Sequence, residues 1–86
     1  MKDFLFEKTA FEDVAYWVKT DVRMMKKIIQ LLENIQQTPY EGLGKPEALK
    51  HQLQGHWSRR IDAEHRLVYR IEESSVVIIS CRYHYN

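Results

Sequence analysis

The feature that most constrains the fold is a segment with apolar residues at helical spacing, VRMMKKIIQLLENIQQT, which begins at residue 22. Its apolar positions form one wide stripe on a helix, and they are Met24, Met25, Ile28, Ile29, Leu31, Leu32 and Ile35. A chain of 86 residues has room for a single core. We therefore expect one domain over residues 1–86, in which this helix, capped by Asp21 and ended by Pro39, packs on a sheet.

The first part of the chain predicts one more strand and one more helix. KDFLFE alternates polar and apolar residues and favours a short strand. Thr9 precedes Glu12 at capping-box spacing, which predicts the start of a helix there. The apolar positions of this helix are predicted to be Phe11, Val14, Ala15 and Val18. After a loop rich in Gly and Pro, PEALKHQL is typical of a short helical turn.

Three strands are predicted in the remaining sequence. HWSRRI and HRLVYRI alternate, and SVVIIS is a continuous apolar run suited to a central strand. Short turns between them predict an antiparallel meander. The fold class is therefore α+β, with two N-terminal helices on one face of a mainly antiparallel, four-stranded sheet.

Strand alternation predicts which side chains share a face of the sheet. It groups Trp57, Arg59 and Ile61 on one side of their strand, and Arg66, Val68 and Arg70 on one side of the next. If the last strand continues to the end of the chain, Arg82 and His84 also share a side. This pattern permits Arg66, Arg82 and His84 to meet.

Composition narrows the class of protein. Apolar residues make up 44% and charged residues 29% of the chain, as in soluble globular domains. No apolar run approaches the roughly 20 residues that a membrane-spanning helix needs, and the acidic start of the chain is unlike a signal peptide. The single cysteine, Cys81, excludes an internal disulfide and fits the cytoplasm. No spacing of Cys and His indicates a metal site.

The charge is unevenly distributed, although the net charge is only +1. The six basic and six acidic side chains of residues 1–38 cancel, whereas all four histidines follow residue 50. A basic surface interleaved with Trp, Tyr and His is typical of nucleic-acid binding. A solvated, functionally silent face fits the charge counts equally well.

The C-terminal half also contains groups that could cleave RNA without a metal. In that reaction the ribose 2′-OH attacks its own phosphorus, a base removes its proton, an acid protonates the leaving 5′-oxygen, and cations hold the phosphoryl charge. The candidate residues are Glu47, Lys50, Arg66, His84 and Tyr85. Each also has an ordinary structural interpretation, such as a first-turn helix charge for Glu47 or an exposed terminal side chain for His84.

The order and spacing of several motifs resemble a known family. TPYEGLGKPEALKHQLQGHWSRRIDAEHRLVYRI, followed by CRYHY at the end, is similar to the YoeB (Txe) toxins of the RelE superfamily, and the likeness is densest from Thr38 to Tyr85. The resemblance implies a RelE-type fold and a metal-independent, cofactor-free endoribonuclease that cuts mRNA in the decoding site of the ribosome. It also implies a YefM-type antitoxin, frequent homodimers, and contact with operator DNA only through the antitoxin complex.

The same resemblance implies roles for individual residues. Glu47 would be the general base, His84 the general acid and Arg66 the residue that stabilises the transition state. Tyr85 would position the substrate, and the residues expected to contact phosphate or ribosomal RNA are Lys50, His51, Arg59 and Arg60. Ala48 replaces an expected proline, and Asn86 extends the chain beyond the usual terminal tyrosine.

Two other functions remain open on the sequence. One is a RelE-fold toxin that binds a protein target such as gyrase without cleaving RNA. The other is a nucleic-acid-binding module without catalysis, which the charge distribution alone would suggest.

Overall fold

A computed structural model describes residues 1–83 and contains two helices and five strands in that range. The elements are β1 (Asp3–Phe6), α1 (Lys8–Thr20), α2 (Val22–Gln37), β2 (Glu47–Ala48), a single 3₁₀ turn (His51–Leu53), β3 (Trp57–Arg60), β4 (Arg66–Ile71) and β5 (Ser75–Ser80). The predicted α+β class is confirmed.

The sheet has the strand order β1-β5-β4-β3-β2. β1 pairs with β5 in parallel, whereas β2, β3, β4 and β5 form antiparallel pairs. The predicted meander and the mainly antiparallel sheet are therefore confirmed, and the apolar run of β5 lies in the interior of the sheet as its pattern predicts.

The prediction of four strands is wrong by one, because Glu47 and Ala48 form an edge strand rather than part of a helical turn. They pair with Ser58 and Trp57 of β3. Lys45 and His51 on either side have left-handed φ angles of 52° and 58°, which interrupt any helix that begins at Pro46. Only residues 51–53 keep the predicted helical turn.

The stripe on α2 is core, as predicted. Met24, Ile28, Leu31, Leu32 and Ile35 are buried and pack with apolar residues of α1 and the sheet, whereas Ile29 stays half-exposed. The Asp21 carboxylate caps the helix by accepting a hydrogen bond from the amide of Arg23 at 3.1 Å.

The predicted apolar face of α1 is right for Val14, which packs against the core, and wrong for Phe11 and Val18. Ala10, Asp13 and Trp17 are the buried residues of this helix, while Phe11 and Val18 are 66% and 57% exposed. The helix begins at Lys8, so Thr9 is not its cap. The buried residues include a carboxylate because Asp13 and Trp17 both bind the backbone of Cys81, at the end of β5.

Candidate active site on the sheet face opposite the helices

The register of the sheet places Glu47 in a row that crosses four strands. Glu47 is paired with Ser58, Ser58 with Val68, and Val68 with Ser80. Directly paired residues of antiparallel strands point to the same side. The sequence neighbours of Val68 in β4, Leu67 and Tyr69, point to the other side and belong to the core under the helices. The row therefore lies on the opposite face of the sheet.

A second row on the same face contains two arginines. Arg60 of β3 is paired with Arg66 of β4, two residues along from the row of Glu47. Two like charges directly opposite each other destabilise a sheet, and a bound anion would relieve that repulsion. Arg60 is exposed and Arg66 is half-buried, so this pair is accessible to a phosphate group.

The guanidinium of Arg66 is held by the β3–β4 turn. Its Nη1 donates to the carbonyl oxygens of Asp62 at 3.0 Å and His65 at 3.2 Å. In the described part of the chain, these are the only hydrogen bonds of this side chain, so Nε and Nη2 have no partner among residues 1–83. The turn thus fixes one edge of the guanidinium and leaves donors for a bidentate phosphate contact.

Glu47 lies on a short edge strand whose position is fixed by its surroundings. The amide of Leu49 donates to the carbonyl of His56 at 2.9 Å, and the Leu49 side chain is buried. Lys50 and His51 follow and are exposed. Glu47 and Arg66 are separated by two strand spacings across the sheet and two residues along it, roughly 12 Å, so that a substrate between them could contact both side chains.

Arg59 does not contribute to this face, which corrects the expectation that it contacts phosphate or ribosomal RNA. Its side chain is fully buried. The guanidinium donates to Asn34 Oδ1 at 2.6 Å and to the carbonyl oxygens of Leu43 at 2.8 Å, Thr38 at 2.7 Å and Glu41 at 3.0 Å. Nε donates to the Tyr69 hydroxyl at 3.1 Å. Arg59 therefore organises the loop that leads from α2 to Glu47.

The same loop is attached to β3 by its backbone. The amide of Arg60 donates to the carbonyl of Gly44 at 2.6 Å. Gly44 has φ 77°, and a Cβ at this position would lie 2.9 Å from the carbonyl oxygen of Arg60. Only glycine fits this approach without a shift, and the loop thereby reaches β2 at a defined position.

The end of β5 is held by side chains of α1. The amide of Cys81 donates to Asp13 Oδ2 at 2.9 Å, and the carbonyl of Cys81 accepts from Trp17 Nε1 at 2.9 Å. All three residues are buried. The last described residues are therefore anchored to the body of the domain.

Burial raises the pKa of the Asp13 carboxyl group, although the amide of Cys81 and the positive charge of Arg82 partly oppose this effect. A raised pKa means that the folded protein holds the proton more tightly than the unfolded chain does. The protonated form thus favours folding below the unfolded pKa, and that contribution is lost as the pH rises through the folded pKa.

We expect Asp13→Asn to reveal this contribution when its unfolding by urea is compared with that of wild type at several pH values. The free energy of unfolding of wild type, relative to Asp13→Asn, should fall as the pH rises from below 3.8 to neutral. Asp13→Ala should lose about 1–3 kcal/mol at neutral pH, because the buried Cys81 amide is left without an acceptor. A difference between wild type and Asp13→Asn that does not change with pH would contradict this assignment.

The thiol of Cys81 is protected in the folded protein. Its side chain is fully buried, and burial together with the nearby Asp13 carboxylate raises its pKa to about 12. Because the thiolate is the reactive form, we expect a disulfide reagent to modify native protein at least about 10³-fold more slowly than urea-unfolded protein. The measurement is the absorbance of the released aromatic thiol, and equal rates in both states would contradict the buried position.

Arg82 contacts α1 and does not continue the alternation of the last strand. β5 ends at Ser80, and the Arg82 guanidinium lies over the Tyr16 ring at 3.5 Å and the Tyr83 ring at 4.5 Å. The left-handed φ of Tyr83, 64°, is incompatible with a continuing strand. His84 and Tyr85, which the sequence proposes as acid and substrate contact, lie outside the described residues.

The predicted site residues within residues 1–83 therefore fall into three groups. Glu47, Arg60 and Arg66 share one face of the sheet, and Lys50 and His51 are exposed beyond β2. Arg59 belongs to the interior. No role was predicted for the supporting residues Asp13, Trp17 and His65. The spacing of Ala10, Asp13 and Trp17 on one helical face is a signal that could have revealed the first two.

Neither a metal site nor a membrane span is found in the described part of the chain. Among residues 1–83, no three His, Cys, Asp or Glu side chains come together as metal ligands would. The two helices in this range are too short or too polar to cross a lipid bilayer.

Comparison with known proteins identifies relatives of this chain. The sequence model for the YoeB-like toxin of bacterial type II toxin–antitoxin systems matches residues 6–85. Toxin YoeB of Escherichia coli K12 is 51% identical over 81 residues, which are 94% of this chain and 96% of the relative. The YoeB dimer of Staphylococcus aureus superimposes with a TM-score of 0.92 at 47% identity over 98% of both chains. The heterotetrameric YoeB–YefM complex of that organism gives a TM-score of 0.91 at 46% identity over 99% of both chains.

Proposed function

Because this chain belongs to the YoeB-like toxin family of bacterial type II toxin–antitoxin systems, we propose that it is a ribosome-dependent endoribonuclease that cuts mRNA in the decoding site. The observation that carries the proposal is the shared face of Glu47, Arg60 and Arg66. A carboxylate on the same face as a pair of guanidinium groups supplies a base and a phosphate site. Cleavage of messages at this site would stop translation in the cytoplasm.

The chemistry follows from these groups. Glu47 accepts the proton of the ribose 2′-OH, whose oxygen attacks the adjacent phosphorus. Arg66, supported by Arg60, holds the charge that grows on the phosphoryl oxygens. The bond from phosphorus to the 5′-oxygen breaks as His84 donates a proton to that oxygen, and Tyr85 positions the substrate. The products are a 2′,3′-cyclic phosphate, or the 3′-phosphate after hydrolysis, and a 5′-hydroxyl.

The ancillary residues extend the same surface. Lys50 and His51 are exposed beside Glu47 and would contact phosphates of the message or of ribosomal RNA. Such contacts are sequence-independent and weaken as salt increases. They would contribute to binding on the ribosome rather than to the proton transfers.

The partners are proposed from the relatives. S. aureus YoeB forms a dimer and a heterotetramer with YefM. We therefore expect a homodimer and inhibition by a YefM-type antitoxin, with operator DNA contacted only through the toxin–antitoxin complex.

The test is cleavage of a message in a purified translation system. Wild type should cut mRNA only when ribosomes are present, and the new fragments should carry a 5′-hydroxyl. After the cleavage position is mapped, a message with a single 2′-deoxynucleotide there should resist cutting at that position. A message cut equally well without its 2′-OH would contradict the mechanism. If folded toxin stops cell growth but leaves messages intact, the alternative of a toxin that binds a protein target such as gyrase is favoured.

A further inference from the structure

His65 is a buried imidazole to which the proposed reaction assigns no role. It ends the turn between β3 and β4 and is 8% exposed. Its ring lies between two aromatic rings, edge-on to Trp17 at a centroid distance of 4.8 Å and tilted against Tyr83 at 5.8 Å. The imidazole thus connects α1, the β3–β4 turn and the end of the described chain.

The backbone of His65 is fixed by the turn. Its amide donates to Asp62 Oδ1 at 2.7 Å, and its carbonyl accepts from the amide of Ile61 at 3.0 Å. Partial burial opposes ionisation of the Asp62 carboxyl group, but hydrogen bonds from the amides of His65 and Glu64, together with the nearby positive charge of Lys27, lower its pKa. The Asp62 carboxylate therefore remains a charged acceptor that holds the turn at neutral pH.

The ring of His65 accepts a hydrogen bond from the last described segment. The amide of Tyr83 donates to Nδ1 at 2.7 Å. An accepting Nδ1 carries no proton, so the hydrogen of the neutral ring is on Nε2. Nε2 lies 3.5 Å from Glu64 Oε1, a carboxylate that suits this tautomer. The contacts on both ring nitrogens therefore favour Nδ1 as the acceptor.

Tyr83 depends on these backbone contacts. Its φ of 64° is left-handed, which costs a residue with a side chain about 1–2 kcal/mol. Its side chain is 54% exposed and thus contributes little burial. Two hydrogen bonds hold the residue on both sides of its Cα. The Tyr83 amide donates to His65 Nδ1, and the Tyr83 carbonyl accepts from the Arg66 amide at 3.0 Å.

We propose that His65 is a positioning residue for RNA cleavage, which it supports by fixing Tyr83, the residue directly before the proposed acid His84. This inference rests on the proposed function. Because a displacement of about 1 Å can cost a reaction 10²-fold, the geometry of the chain at Tyr83 matters for the proton donor that follows. The neighbouring residue Arg66 holds the Tyr83 carbonyl and supplies the phosphate contact, so two adjacent residues of β4 and its turn couple the acid to the phosphate site.

Three variants of His65 distinguish the effect of the hydrogen-bond acceptor at Nδ1 from the effect of side-chain volume. Asn places its side-chain oxygen near the position of Nδ1, Gln places it farther out, and Leu has similar size with no acceptor. We expect His65→Leu and His65→Gln to slow the cleavage of ribosome-bound mRNA about 10–10²-fold, and His65→Asn to stay within about threefold of wild type. Urea unfolding identifies any variant that does not fold. If His65→Leu fails to fold, the comparison of His65→Asn with His65→Gln still tests whether an acceptor at the position of Nδ1 is needed.

The direct readout is hydrogen exchange of the Tyr83 amide, followed by ¹⁵N NMR. The Tyr83 amide should be protected from exchange in wild type and His65→Asn, and it should exchange faster in the Gln and Leu variants. Unchanged protection in folded His65→Gln, or wild-type cleavage rates despite lost protection, would overturn the positioning role. Wild type that leaves mRNA intact would instead contradict the proposed function. In that case the exchange data report separately on the hydrogen bond.

Discussion

Replacement of Glu47 by glutamine is expected to slow the cleavage of ribosome-bound mRNA about 10²–10⁴-fold, the usual contribution of a general base. Glutamine has nearly the same shape as glutamate but cannot accept the proton of the 2′-OH at neutral pH. Glu47 lies on the edge strand β2, on the same face as Arg60 and Arg66, so the substitution removes the base while both arginine side chains remain. The measurement is the single-turnover rate at saturating toxin.

The control for this variant is Glu41→Gln. Glu41 is an exposed glutamate of the loop before β2, and only its backbone carbonyl contacts Arg59. Its replacement removes the same charge from the chain and should leave the cleavage rate within about twofold of wild type. Equal rates for Glu47→Gln and wild type would refute Glu47 as the base. A loss in both variants would indicate an effect of net charge on ribosome binding.

Replacement of Arg59 by methionine is expected to lower the free energy of unfolding by about 3–5 kcal/mol. Methionine fills part of the volume but removes the hydrogen bonds that Arg59 donates to Asn34 Oδ1 and to the carbonyl oxygens of Thr38 and Leu43. Asn34 Oδ1 keeps only the bond from the Leu43 amide. Because a domain of this size has on the order of 4–13 kcal/mol in total, this loss is a large fraction of its stability. Urea unfolding, followed by tryptophan fluorescence, measures it.

Two further variants test the reason for this loss. Arg60→Met, at the exposed neighbouring position, should change the free energy of unfolding by no more than about 0.5 kcal/mol. Arg59→Lys should lose most of the stability that Arg59→Met loses, since one ammonium group cannot reach acceptors on several sides of a planar guanidinium. A stable Arg59→Met protein with weakened RNA binding would contradict the interior role and support a surface role for Arg59.

The architecture was accessible to sequence analysis where a local pattern decides the structure. The stripe of α2, the alternation of β3 and β4 and the apolar run of β5 each depend on neighbours within a few residues. β2 was missed because a two-residue strand has no periodicity. Its pairing with Ser58 and Trp57 depends on the left-handed residues that flank it.

Arg59 shows where residue type and pattern conflict. Alternation grouped it with Trp57 and Ile61 on one side of β3, while its charge favoured the surface. The pattern was right, because acceptors 16, 18, 21 and 25 residues away in the chain surround the guanidinium. An arginine that alternation groups with large apolar residues is therefore better interpreted as a buried organiser of loops than as an RNA contact.

By itself, the sequence determined the α+β class, the core face of α2 and the family resemblance that points to Glu47, Arg66 and His84, since these depend on residue identity and short-range spacing. Only the tertiary structure decided that Glu47, Arg60 and Arg66 share one face and that Arg59 is interior. It also decided that Asp13, Trp17 and His65 anchor the chain at Cys81 and Tyr83. The physical reason is that a buried polar group is stable only where its partners are, and here those partners lie up to 68 residues away in the chain.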